Sequence, residues 1–196
     1  MDAERLTRQL QFVIEIDKMK SIIRRTLLMN GSRRENDAEH SWHIAILAMV
    51  LKEYANKPVN IDKVVKMCLV HDLVEVYAGD TYAYDDKGNA TKLDRETAAA
   101  DKLFSILPDG QGDEIRALWE EFDAHETDEA KFALGMDRLQ PILHNFITEG
   151  VTWKEGHVTS DKVLKRNEGL KDIAPELWDL IEWLVNTAVE RGYLAK

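Results

Sequence analysis

A single cysteine, Cys68, occurs in the 196 residues, so no disulfide framework holds this chain together. Only 10 glycines and 4 prolines are present, which excludes collagen-like and low-complexity polymers, and 44% hydrophobic content excludes wholesale disorder. No apolar run approaches the roughly 20 residues that a membrane-spanning helix requires. The opening MDAERLTRQL also lacks the apolar stretch of a signal peptide, so a cytoplasmic location and no membrane partner are expected. Positive charge is scarce too: 26 basic residues against 36 acidic leave −10, a balance that repels nucleic acid over long range. A phosphate-bearing substrate would have to be caught by a local basic cluster.

No repeat and no Ser- or Gly-rich linker divides the chain, which reads as one domain spanning residues 1–196. Alternating apolar and polar residues are rare, whereas spacings of three and four recur in nearly every long segment, so the expected fold is an all-α bundle. Leu6, Leu10, Val13, Ile16, Met19 and Ile23 predict a first helix over Ala3 to Ile23 with this stripe packed inward. The segment RRTLLMNGSRREND then reads as a basic loop, with Asp37 capping a second helix over Ala38 to Tyr54. A third helix runs from Asn60 or Asp62 to Tyr77 and is apolar on most sides.

A loop over Gly79 to Asn89 precedes helices at Thr91 to Leu107 and Asp113 to Phe122. A long helix follows from Thr127 or Asp128 to Gly150, with Pro141 expected to bend it, and the last helices lie near Ser160 to Asn167 and Pro175 to Arg191. Trp178 and Trp183, on the last, are expected to pack or, if exposed, to form an interface.

His71 and Asp72 sit in the middle of the most apolar segment, IDKVVKMCLVHDLVEVY, where an unpaired ionisable pair would be costly to bury. Either a hydrogen-bonded His–Asp pair bridges helices there, or a metal ion takes imidazole nitrogen and carboxylate oxygen together. His40, at the start of the second helix, and Asp137, inside the apolar run ALGMDRLQPI, are further ligand types on separate helices. Helical bundles assemble metal sites in this way. Glu75 follows His71 by four residues and Asp72 by three, so on one continuous helix it shares their face. Cys68 reads as a packing residue.

The motifs EHS, HDLVE, GD and LGMDRLQ, taken together, resemble the HD-domain metal-dependent phosphohydrolase superfamily. Within it, the chain is similar from Ile16 to Glu149 to the small HD proteins that include bacterial 5′-deoxynucleotidases. The resemblance implies a helical bundle of the HD type in which His40, His71, Asp72 and Asp137 hold one divalent cation. Histidine and carboxylate donors suit Mn, Co, Fe, Zn or Ni, and Mg is not distinguished from these. It also implies catalytic acids at Glu75 and Asp80 and a phosphate-binding arginine at Arg25, with Arg33 and Arg34 adding to the positive field. Where the deoxynucleotidases place a tryptophan this chain has Thr26, so selectivity for deoxyribose does not carry over. A homodimer is the expected assembly, and His43, His125 and His144 fall outside the ligand pattern.

The expected activity is release of phosphate from nucleoside or deoxynucleoside 5′-monophosphates by activated water. Phosphodiester or pyrophosphate hydrolysis, and nucleotide binding without turnover, are the competing readings.

Overall fold

The computed structural model describes residues 3–196, apart from the side chain of Asp86. Helix α1 (Ala3–Ile16) leads through a 3-10 turn (Asp17–Ser21) into an antiparallel hairpin, β1 (Ile23–Leu27) and β2 (Arg34–Asn36). There follow α2 (Asp37–Leu51), α3 (Ile61–Val70), the short α4 (Glu75–Ala78) and α5 (Asp86–Asn89), α6 (Lys92–Phe104) and α7 (Gln111–Ala124). The chain closes with α8 (Asp128–Ile147), α9 (Val151–Glu155), α10 (Ser160–Asn167), α11 (Leu170–Ile173) and α12 (Pro175–Glu190).

Helices α2, α3 and α8 pack against one another, and the positions that meet are apolar at three- and four-residue intervals. Ile44 and Ala48 of α2, Val64 and Met67 of α3, and Phe132, Met136 and Leu139 of α8 are fully buried. Ile181 and Val185 of α12 close this cluster from the far side. A second cluster gathers Phe12, Met19, Leu73, Val74, Leu103, Phe104 and Trp119. His71 and Asp72 fall between Cys68 of the first cluster and Leu73 of the second, and so sit at the seam of the two.

Helices α2, α3 and α8 each have their start fixed by a side chain. Asn36 accepts from the Glu39 amide at 2.9 Å while Glu39 accepts from the Asn36 amide at 3.1 Å, a capping box that seats His40 in the first turn of α2. Asn60 caps α3, and Thr127 caps α8 through the Ala130 amide at 3.2 Å.

Three local expectations are corrected. The first helix stops at Ile16, and its stripe faces outward, with Leu10 53% and Val13 59% exposed. The cause is Arg8, which donates to the carbonyls of Ser105, Ile106 and Leu107 beyond the end of α6 and so turns Phe12, one helical turn on, inward instead. The expected basic loop is the hairpin, reversed where Leu28 donates to the Arg33 carbonyl and Gly31 takes φ +69°. The expected helix from Asn60 to Tyr77 breaks after Val70. A turn over residues 71–74 separates α3 from α4, and Gly79 at φ +74° ends the segment. By contrast, α8 runs through Pro141 as one helix.

Candidate metal centre and its pocket

His40, from the first turn of α2, is fully buried, and its Nε2 lies 2.9 Å from Asp137 Oδ1 and 3.9 Å from Asp72 Oδ2. His71 Nε2 lies 3.1 Å from Asp72 Oδ1 and 3.7 Å from Asp137 Oδ1. Two imidazole nitrogens and two carboxylates from α2, α8 and the α3–α4 turn therefore converge on one point. The four expected ligands are brought together.

The outer nitrogens of both rings are engaged. His71 Nδ1 donates to the Cys68 carbonyl at 2.8 Å, which points Nε2 inward, and Nε2 is a buried atom with no hydrogen-bond partner. His40 Nδ1 faces Gln140 Oε1 at 3.3 Å, with Glu35 Oε1 3.7 Å away. Histidines that bind metals are held in this way, by an N–H given to a carbonyl or carboxylate behind them. The donor set and the orphaned nitrogen fit a divalent ion of the borderline type.

The electrostatics point the same way. Burial alone would lower the His71 pKa, yet the Asp72 and Asp137 carboxylates push it up to about 10. Burial works against ionisation of Asp72, but His71 and Arg24 hold it well below the usual carboxylate range. Protons on the rings thus supply the positive charge that these carboxylates require.

Glu75 opens α4 and is 3% exposed, and burial followed by the Asp72 and Asp37 charges raises its carboxyl well above its ordinary value. Asp37, Glu75 and Asp80 bring carboxylate oxygens within 4.8 Å of one another. Asp37 is pushed up to about 7 by burial first and Asp72 second, and Asp80 is raised for the same two reasons. The expected acids Glu75 and Asp80 therefore stand beside the ligands. Asp37 was invisible in the sequence because it reads as an ordinary helix-start acid.

Arg24 is the cation of this group. Its Nη1 donates to Asp72 Oδ2 at 2.8 Å and lies 3.4 Å from Asp37 and 3.9 Å from Asp80. Arg25, the phosphate-binding arginine that the resemblance implies, also lines the pocket, its guanidinium 4.4 Å over the Tyr82 ring. Arg33 and Arg34 do not line it. Arg33 pairs with Glu39, and Arg34 with Glu155 at 2.9 Å. Lys92, unflagged by the sequence, contributes a cation to the wall and pairs with Glu96 at 3.4 Å. The cavity measures about 250 Å³ and reaches from Asp72, Glu75 and Asp137 to Tyr84, Arg138 and Asn167. Thr26 is on its wall; His43 and His144 are not, and meet Gln140 behind His40.

A bundle that presents His, His-Asp and Asp to one buried point is the architecture of a metal-dependent hydrolase. A family model described as HD domain matches residues 16–178. The human 5′-deoxynucleotidase HDDC2 is 31% identical over 150 residues, covering 76% of this chain and 72% of that protein. Its namesake in Dictyostelium discoideum is 28% identical over 164 residues, covering 81% and 84%. A solved structure from Magnetospirillum magnetotacticum, described as a predicted metal-dependent phosphohydrolase, is 52% identical. It superposes with a TM-score of 0.91 over 98% of this chain and 97% of that one. The HD phosphohydrolase of cyanophage S-2L, bound to dA and one catalytic Zn2+ ion, shares the fold at 19% identity and a TM-score of 0.57, over 91% and 96% of the two chains. The chain belongs to the HD-domain family, and it is a metal-dependent phosphohydrolase.

Proposed function

We propose that this protein releases inorganic phosphate from nucleoside or deoxynucleoside 5′-monophosphates. The observation that carries the reading is the convergence of His40, His71, Asp72 and Asp137 beside the buried Glu75 and the half-buried Asp80, at a cavity of about 250 Å³ lined by His71, Asp72 and Asp137 together with Arg24, Arg25 and Lys92. The names of the 5′-deoxynucleotidase relatives and the dA bound to the cyanophage enzyme support this substrate class.

When bound by the two histidines and two aspartates, a divalent ion polarises a phosphoryl oxygen and acidifies water. Arg25, whose charge meets an aromatic face instead of a carboxylate, holds the phosphate, and Arg24 and Lys92 add to the positive field. Glu75 positions the attacking water and takes its proton as the new P–O bond forms. Asp80, whose carboxylate lies within 4.8 Å of Glu75, gives a proton to the 5′ oxygen as the old P–O bond breaks.

The functional unit is one domain over the chain, of which residues 1 and 2 lie outside the described residues, acting as a homodimer in the cytoplasm. Trp42 of α2, 61% exposed, and Trp183 of α12, 57% exposed, are large apolar side chains left to solvent on the single chain and support the assembly. Among the described residues no helix is long and apolar enough to cross a membrane.

The test is phosphate release across ribo- and deoxyribonucleoside monophosphates, cyclic nucleotides and triphosphates after loading with Mn, Co or Zn. Release from the monophosphates alone is expected. Nucleotide or pyrophosphate products from the other substrates would overturn the reading.

A further inference from the structure

The cavity has a second wall, built where α8 meets the end of α10, whose polar atoms the hydrolytic step does not use. Arg138, the residue after Asp137, donates through Nη1 to the Arg166 carbonyl at 2.5 Å, and its Nε–H is buried with no partner. Asn167, the next residue along, is 2% exposed. Its Nδ2 donates to the Val163 carbonyl at 2.7 Å, which fixes the amide so that Oδ1 is an acceptor, and that oxygen too is buried without a partner. Arg138, Arg166, Asn167 and Tyr84 all line the cavity.

Leaving one donor and one acceptor buried and unpaired is costly, and such atoms call for a ligand or water that satisfies both. A phosphate offers acceptors only and would leave Asn167 Oδ1 facing negative oxygen. A nucleobase edge carries an acceptor, carbonyl or ring nitrogen, beside an N–H donor. Its flat ring also suits the Tyr84 face and the guanidinium planes of Arg138 and Arg166, neither of which forms an ion pair among the described residues.

We propose that this wall recognises the base of the substrate: Asn167 Oδ1 accepts from a base N–H, and Arg138 Nε–H donates to the neighbouring carbonyl or ring nitrogen. The inference rests on the nucleotidase reading and deepens it, because it makes the base a part of what is bound.

The experiment compares deoxynucleoside 5′-monophosphates with 2-deoxyribose 5-phosphate as substrates of the metal-loaded wild type, Asn167→Leu and Arg138→Met. The wild type should prefer the nucleotides in kcat/KM. Each variant should shrink that preference by about tenfold or more, through a raised KM for the nucleotides, with metal per chain unchanged. Arg138→Met carries the same readout should Asn167→Leu fail to fold. Equal hydrolysis of sugar phosphate and nucleotide by the wild type, or equal slowing of both by the variants, overturns the inference while the phosphatase reading stands. A wild type that releases phosphate from neither overturns both.

Discussion

At His71 the backbone and the side chain have separate duties. The amide continues α3 by donating to the Met67 carbonyl, while Nδ1 holds the Cys68 carbonyl and leaves Nε2 free to face the cation. Replacing His71 or Asp72 with alanine should therefore lower bound metal per chain by elemental analysis, and unchanged stoichiometry would remove them from the ligand set. Glu75→Ala should keep its metal and lose turnover by about 100-fold or more, read as phosphate release. Titration adds a third expectation at this scale. Folded Asp37 is raised from 3.8 to about 7 and folded His71 from 6.5 to about 10, so both bind more protons folded than unfolded within that range. Their contribution to stability is present at low pH and is lost as pH rises. The melting temperature of the metal-free protein should fall from about pH 5 to 9, and Asp37→Asn should flatten the part below pH 7. A melting temperature that climbs over this range contradicts the charge assignment.

Among the elements, α2 shows how a local signal positions a distant site. The Asn36–Glu39 capping box fixes where the helix starts and therefore where His40 points. Asn36→Ala should cost about 1 kcal/mol in urea unfolding and weaken metal binding with it, whereas an unchanged midpoint would show the cap to be dispensable. The three- and four-residue spacing of α2, α3 and α8 is readable because it depends on neighbours in sequence, whereas the expected cap of α2, Asp37, lies one residue past the actual one, Asn36. The orientation of α1 was not. Its apolar stripe predicted the wrong buried face, because Arg8 anchors the helix through carbonyls about a hundred positions away in the chain. The hairpin was hidden for a related reason, since its arginines spend their charge on Asp72, Glu39 and Glu155 and leave no alternation to read.

For the whole molecule, the four ligands were legible because acids and histidines inside apolar runs demand partners, and because their motifs are specific to one family. Arg24, Asp37 and Lys92 were missed, since a basic strand, a helix-start acid and a helix-start lysine each have an ordinary local explanation. Only the fold brings Arg24 and Lys92 to one cavity and sets Asp37 3.4 Å from Arg24. Assembly belongs to this scale too: light scattering should give twice the 22.5 kDa of one chain, and a mass of 22.5 kDa at working concentration would contradict the homodimer.

The most direct measurement is anomalous scattering from crystals grown with Mn, Co or Zn. The predicted result is one strong peak within coordination distance of His40 Nε2, His71 Nε2, Asp72 and Asp137. A map with no peak there, or with the ion bound elsewhere, would contradict the account.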